Sequence, residues 1–344
     1  MDKRLSKKIY WVNFILSLMI ISYHAYNIPI YQTALNGNAF GNIFIFAEKF
    51  ISCTERIAVP IFFAMSGFLF FHNYAPDKAL KKIKSRVFSL LIPYFVWNSI
   101  SWLYYFILTH IPYVAEKMNM QMDLSLTGII YEIGMGKYNA LWFVRVLFIL
   151  ILLAPILYYA INGRIKSTIA IIVLIIVEIL FNFSGSSTVY GMVFFSIGSI
   201  IALNYKEFVS KRICHSNILL FLFFISCAAL ASYIDIIQER WRLLILIGLI
   251  ALFWIGIDNL IDLLPEKDSA HWFTKHSFFI YCSHGMILEG VEKIILIIFG
   301  ITVYGAAVDY IFAPLITFII IFCIAWLMKN KFVKIFNILT GGRK

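Results

Sequence analysis

Charged residues are scarce in this chain. They make up 14% of its 344 residues, whereas soluble globular domains contain about 25%. Hydrophobic residues account for 62% of the chain and aromatic residues for 17%. This composition excludes an ordinary soluble domain and indicates an integral membrane protein.

Several familiar motifs are also missing. The five cysteines form no CxxC pair, and the seven histidines form no HxxxH or HExxH pair. We therefore expect buried thiols without a disulfide, and no metal site. The sequence contains no Walker loop, no GxGxxG turn and no internal repeat. Nucleotide-binding folds of those two classes and repeat architectures are therefore not indicated.

Long apolar runs dominate the chain instead. Ten stretches are each long enough to cross a bilayer as a helix. The predicted spans are 9–28, 57–72, 88–108, 141–162, 167–183, 189–205, 217–236, 241–257, 277–299 and 306–328. They lack the alternation of a membrane β-barrel. We predict an all-α integral membrane protein, a single multi-pass domain over residues 1–344 in the cell membrane.

The net charge of +11 comes mainly from basic residues in the loops between the predicted spans and at the two ends of the chain. Lysine and arginine cluster in alternate connections, among them residues 3–8, 78–86 and 329–344. By the positive-inside rule this pattern places both termini in the cytoplasm, as an even number of spans requires. Membrane topology thus explains most of the positive charge, and no nucleic-acid partner is predicted.

A few ionisable residues are predicted to lie at the outer side of the membrane. His24 is deep in span 1, where a titratable side chain is a candidate functional residue. With a helix rise of about 1.5 Å per residue, Arg145 and Glu178 lie at a similar depth. They either form a buried ion pair that holds the bundle together or line one cavity with His24. Glu55 and Arg56 either anchor span 2 at the interface or close the mouth of that cavity.

Segments spread along the chain together resemble the membrane-bound acyltransferase 3 family, as found in Gram-positive bacteria. They are the histidine near the end of span 1, TERIAVPIFFAMSGFLF at 54–70, the basic run 81–86, LLIPYFVWN at 90–98, LWFVR at 141–145, FFSIGSII at 194–201 and SFFIYCSHGMIL at 277–288. Their order and spacing carry the resemblance, which covers nearly the whole chain.

The resemblance implies a ten-helix bundle. It also implies the transfer of an acyl group, often acetyl, from cytoplasmic acyl-CoA to a hydroxyl of a cell-envelope or exported glycan, free or lipid-linked. The family's span 1 histidine corresponds to His24. Positions that are usually basic in the family are Asn13 and Ser89 here, so nearby lysines would bind the donor phosphates in their place. The predicted donor-binding residues are Lys81, Lys82, Lys84, Arg86 and His284.

Acyl transfer to a hydroxyl needs a group that takes the hydroxyl proton. A histidine, with an unperturbed pKa of about 6.5, suits this role. We predict that His24 is either this general base or the carrier of the acyl group as an acyl-imidazole. The developing oxyanion would be stabilised by Arg56, Arg145 or the Trp142 N–H. The residues predicted to line the substrate site are Glu55, Trp142 and Glu178.

Two other functions are compatible with the sequence. A glycan transporter or flippase also uses intramembrane polar residues, although such bundles usually contain repeats or broken helices. Here only Gly67 and Gly198 would loosen spans. The departures at Asn13 and Ser89 are compatible with a catalytically inactive subunit of an envelope polysaccharide complex. Turnover that depends on an acyl-CoA donor distinguishes the three functions.

Overall fold

The computed structural model describes residues 1–37, 39–112, 122–139, 141–183, 187–213 and 216–342. These residues form helices and no β-strand. The α-helices are α1 (Lys3–His24), α2 (Ile28–Leu35), α3 (Ala39–Glu55), α4 (Ala58–Phe71), α5 (Ala79–Arg86), α6 (Ile92–Thr109), α7 (Leu126–Met135), α8 (Trp142–Ile161), α9 (Arg164–Phe181), α10 (Thr188–Asn204), α11 (Lys206–Ser210), α12 (Ser216–Tyr233), α13 (Glu239–Gly256), α14 (Asp258–Leu263), α15 (Ser277–Phe299), α16 (Val303–Lys331) and α17 (Val333–Leu339).

Seven helical segments of the described residues are long and apolar enough to cross a membrane. They are Lys3–His24, Ala39–Phe71, Pro76–Thr109, Trp142–Ile161, Ser216–Tyr233, Glu239–Leu263 and Val303–Lys331. Helices α9, α10 and α15 occupy the remaining three predicted spans. These three helices are not among the seven segments. Helix α10 is short, with 17 residues, and α9 and α15 each contain three charged residues. The prediction of an all-α protein with several membrane-crossing helices is confirmed.

Helix α1 is central to the bundle. It packs against α3, α4, α15 and α16. The chain just after α1 is fixed by a buried polar network: the backbone N–H groups of Asn27 and Ile28 donate to Oε1 of Glu48, at 2.6 and 3.3 Å. The Asn27 side chain donates to Asp309 on α16, at 3.0 Å. These bonds satisfy backbone donors at the start of α2 and hold the end of α1 between α3 and α16.

Two glycines bring α4 and α10 into backbone contact. A Cβ atom on Gly198 would overlap the carbonyl oxygen of Ala64, and one on Gly67 would overlap that of Phe195. Small residues allow this close approach between membrane helices. Gly67 and Gly198 therefore join these two helices tightly. They do not loosen the spans, and loosened spans were the feature that would have favoured a transporter.

The four described cysteines show no special arrangement. Cys53, Cys227 and Cys282 are buried thiols, Cys323 is exposed, and Cys214 lies outside the described residues.

Candidate active site

A cavity of about 380 Å³ lies beside the end of α1. We call it the His24 cavity. Its polar lining consists of Tyr23, His24, Glu55, Arg56, Trp142, Glu178, Asn182, Tyr190, Glu239, Arg240 and Arg242. The structure thus brings together five residues that were singled out from widely separated parts of the sequence: His24, Glu55, Arg56, Trp142 and Glu178.

His24 is the last residue of α1, and its side chain is exposed to the cavity. Its ring lies edge-on to Tyr23, with the ring centroids 5.8 Å apart, and 5.1 Å from the ring of His284. A histidine that is accessible from a cavity at the centre of a helical bundle has the access that a general base or a nucleophile requires.

Glu55 and Arg56 lie at the break between α3 and α4. Helix α3 ends at Glu55 and α4 begins at Ala58, so Arg56 lies in the intervening turn, where it is exposed to the cavity. Glu55 is buried and hydrogen-bonded to Ser22 of α1. The break in this span therefore places a positive charge in the cavity that His24 lines, and Glu55 ties α3 to α1.

The ion pair between Arg145 and Glu178, one of the two alternatives for these residues, is not among the salt bridges of the described residues. Nη1 of Arg145 donates to the carbonyl oxygen of Met135, at 2.8 Å. Met135 ends α7, where the last carbonyls have no intrahelical partner and attract cations. Glu178 is buried and lines the His24 cavity, but Arg145 is not part of that lining.

Two arginines of the His24 cavity were not among the residues predicted from the sequence. Arg240 and Arg242 come from the first turn of α13. Arg242 donates to the carbonyl oxygen of Ile234, at 2.9 Å, and lies 3.5 Å from the carboxylate of Glu239. The signal for them was present, since the run ERWR at 239–242 directly precedes an apolar span. It is easily interpreted as a simple charged flank.

A second cavity, of about 270 Å³, lies between α1, α4 and the start of α15. We call it the Arg86 cavity. Its polar lining consists of Tyr10, Asn13, Ser17, Ser66, Arg86, Thr274, Lys275, Ser277 and Tyr281. Arg86 and Lys275 give this cavity two positive charges. Lys275 belongs to the 3₁₀ turn Trp272–His276, and the sequence analysis missed it because it looked like the basic flank of span 9.

The predicted basic run does not act as one cluster. Only Arg86 of the four residues lines the cavity. Nζ of Lys82 donates to the carbonyl oxygens of Phe70 and His72, at 2.6 and 3.0 Å, which ties α5 to the end of α4. Lys81 and Lys84 are exposed. The four side chains therefore lie in different surroundings, and a joint role at one donor site stays a prediction.

His284 lies between the two cavities, away from the basic run with which it was grouped. It is fully buried on α15. Its ring centroid is 5.1 Å from that of His24, which lines one cavity, and 5.8 Å from that of Tyr281, which lines the other. No group of three or more His, Cys, Asp or Glu side chains among the described residues is arranged to hold a metal ion.

The family comparison gives a match over most of the chain. A family model described as an acyltransferase domain, of the acyltransferase 3 type, matches residues 9–329. The matched range contains the lining residues of both cavities. Comparisons with curated proteins and with solved structures gave no match.

Proposed function

Since the chain belongs to the acyltransferase 3 family, we propose that it moves an acyl group, acetyl in the simplest case, from cytoplasmic acyl-CoA to a hydroxyl of a cell-surface or exported glycan. The observation that carries the proposal is the pair of cavities. They approach each other at Tyr281, His284 and His24, with a cationic site on one side and a histidine on the other. We place both termini of this cell-membrane protein in the cytoplasm. The Arg86 cavity is lined by Tyr10, Asn13 and Ser17 from the N-terminal part of α1, so it then lies toward the cytoplasmic donor.

The donor side is supported by charge. Acyl-CoA carries phosphates, and an arginine binds phosphate oxygens through a rigid fork while a lysine acts as a compact point charge. Arg86 and Lys275 supply one of each to the same cavity. Lys275 thereby offers a positive charge in the cavity that Asn13 lines, where family members usually have a basic residue. The departures at Asn13 and Ser89 are thus compatible with an active enzyme.

The acceptor side is supported by the mixed polarity of the His24 cavity. Three arginines and three carboxylates line it, together with hydroxyl and amide groups. A glycan presents many hydroxyls, each of which both donates and accepts hydrogen bonds, and a lining of this kind satisfies both. A hydroxyl of a free or lipid-linked glycan that enters this cavity meets the exposed ring of His24.

The reaction follows from these positions. His24 takes the proton of the acceptor hydroxyl while the hydroxyl oxygen forms a bond to the thioester carbonyl carbon. The carbon–sulfur bond then breaks, and the proton passes from His24 to the thiolate of coenzyme A. Arg56 or the Trp142 N–H stabilises the intermediate oxyanion. We do not assign this role to Arg145, because it does not line the His24 cavity and its Nη1 donates to Met135. In the alternative route His24 itself accepts the acyl group before the hydroxyl attacks.

The test uses the purified full-length chain in nanodiscs with labelled acetyl-CoA and a panel of glycans. We expect a labelled ester and an equal amount of released coenzyme A, both dependent on the glycan. His24→Ala serves as the matched control. Movement of glycan across the bilayer without ester formation would indicate a transporter. Absence of both ester formation and coenzyme A binding would favour an inactive subunit.

A further inference from the structure

The environment of His284 determines which of its ring nitrogens carries the hydrogen. Nδ1 lies 2.6 Å from the carbonyl oxygen of Tyr281. A carbonyl oxygen only accepts hydrogen bonds, so Nδ1 must be the donor. The side chain is fully buried, and no described carboxylate forms an ion pair with it. A charged ring there is unfavourable. His284 is therefore neutral, with its hydrogen on Nδ1.

The other nitrogen of His284 is left as an acceptor. Nε2 has no hydrogen-bond partner among the described residues. A buried acceptor without a donor destabilises the fold, so this atom needs a partner. The side-chain amide of Asn139, which is near Gly285, is already engaged: its Nδ2 donates to Ser101 and to the carbonyl oxygen of Cys282.

Among the described ring contacts of His284, His24 is the one whose ring carries an N–H. Its centroid is 5.1 Å from that of His284, and the two planes are tilted by 43°. Facing ring nitrogens at this centroid separation are within hydrogen-bonding range. The bond is not formed in the structure, since Nε2 of His284 has no partner among the described residues. A ring therefore has to rotate, and the cavity beside His24 leaves its ring free of packing on that side.

We propose that His284 is a positioning residue that accepts the ring N–H of His24 at its Nε2. A neutral imidazole has one N–H and one lone pair. When the N–H is held by His284, the lone pair of His24 is directed into the cavity, where the acceptor hydroxyl delivers its proton. The catalytic part of this inference rests on the proposed function, whereas the hydrogen bond itself does not.

The hydrogen bond is tested without any substrate. Protein with ¹⁵N-labelled histidine is examined by solid-state NMR in lipid at a pH of about 8, where an unperturbed imidazole is neutral. The signals of His24 are assigned by their loss in His24→Ala. We expect a single neutral tautomer of His24 in the parent and a mixture of both tautomers in His284→Phe. A mixture in the parent, or an unchanged tautomer in His284→Phe, would overturn the proposal.

The catalytic consequence is tested by two substitutions at position 284. Phenylalanine fills the space but cannot accept a hydrogen bond, whereas the side-chain oxygen of glutamine can. We expect His284→Phe to lower kcat at least tenfold with an unchanged KM for acyl-CoA, and His284→Gln to recover a large part of kcat. The control is Ser283→Ala, for which we expect wild-type kcat. The described hydrogen bonds of the Ser283 hydroxyl stay within its own helix, to the carbonyl oxygens of Phe279 and Ile280.

The outcomes separate the two proposals. Wild-type kcat in His284→Phe would reject the positioning role, and so would equal losses in the phenylalanine and glutamine variants when both melt like the parent. If the parent transfers no acyl group to any acceptor, the proposed function fails and the tautomer measurement alone decides on the hydrogen bond. If His284→Phe does not fold, the tautomer of His24 in the parent and in His284→Gln decides.

Discussion

Phe143 and Tyr281 meet edge to face at the Arg86 cavity, with their ring centroids 5.8 Å apart and their planes at 81°. His284 lies beside Tyr281, and Trp142, the neighbour of Phe143, lines the His24 cavity. This aromatic contact is therefore part of the wall between the two cavities. Under the proposed function, the thioester end of the donor has to pass this wall to reach His24.

The first prediction concerns His24. In His24→Ala we expect acyl transfer to fall by a factor of roughly 100 or more, the usual effect of losing a positioned general base. Alanine is the best helix former, so α1 is expected to remain intact. Product formation is measured with labelled acetyl-CoA, and donor binding is measured separately and should stay unchanged.

The control for His24 is His110→Ala. His110 is exposed beyond the end of α6, and the described contacts of its side chain are all with Phe106 of the preceding turn. We expect this variant to keep its activity. Near-normal transfer in His24→Ala would remove the histidine from the mechanism.

The second prediction separates Arg86 and Lys275 from the exposed lysines. In the double variant Arg86→Gln and Lys275→Gln, we expect the affinity for coenzyme A to fall at least tenfold. The physical reason is that each charge-assisted hydrogen bond contributes about 1.5–3 kcal/mol. Binding is measured by isothermal titration calorimetry on protein in detergent.

The matched control removes the same charge from Lys81 and Lys84, which are exposed. We expect Lys81→Gln combined with Lys84→Gln to bind the donor nearly as the parent does. Equal losses in the two double variants would assign the effect to the general positive charge of this face and not to the Arg86 cavity.

The third prediction concerns Arg145 and Glu178. Because Arg145 is bound to Met135 and Glu178 lies in the His24 cavity, their contributions to stability should be independent. We expect the losses of unfolding free energy in Arg145→Met and Glu178→Leu to add within about 0.5 kcal/mol in the double variant. Urea or thermal unfolding in detergent measures this. A recovery of stability in the double variant would mean that the two charges do interact.

The fourth prediction concerns Glu132, which lies on α7, outside the seven membrane-crossing segments. Burial alone would raise the pKa of Glu132, but hydrogen bonds from Lys137, Tyr138 and Trp102 outweigh it and hold the pKa below its ordinary value. A carboxylate with a lowered folded pKa stabilises the protein above the unfolded pKa of about 4.3. That stabilisation is lost as the pH falls through the folded pKa.

The measurement is the difference in Tm between the parent and Glu132→Gln. Glutamine does not titrate, so the variant lacks the pH-dependent contribution of this one group. We expect the parent to melt higher at a pH of about 6, and the difference to shrink as the pH falls below about 4. A difference that stays constant over this range would show that the Glu132 carboxylate is not stabilised by its partners.

Hydropathy predicted the long apolar helices, because a bilayer imposes length and apolarity on each segment. It did not predict short helices such as α2 and α7, which lie largely outside the predicted spans. It also predicted the depth of polar residues. A cavity shared by His24 and Glu178 was one of the two alternatives for Glu178, and both residues line the His24 cavity. Depth does not give the rotation of a helix about its axis. Arg145 has a matching depth but reaches the open carbonyl of Met135, and hydropathy contains no information on that contact.

Tertiary packing likewise determines which basic residues line the Arg86 cavity. The basic run 81–86 is contiguous in sequence, but its side chains point in different directions around α5, and Lys82 is used by the end of α4. Lys275 is nearly 190 positions away from Arg86 in the chain, yet it lines the same cavity. The catalytic and binding roles of all these residues remain predictions, which the variants above test.

The glycine contact between α4 and α10 has a consequence for the wall between the two cavities. Helix α4 borders both: Pro60 lines the His24 cavity and Phe62 lines the Arg86 cavity, about 3 Å further along the helix axis at 1.5 Å per residue. Gly67 and Gly198 hold this helix against α10. Under the proposed function, the thioester therefore passes by rotation of side chains in this wall, such as Phe62 against Phe143, and not by displacement of α4.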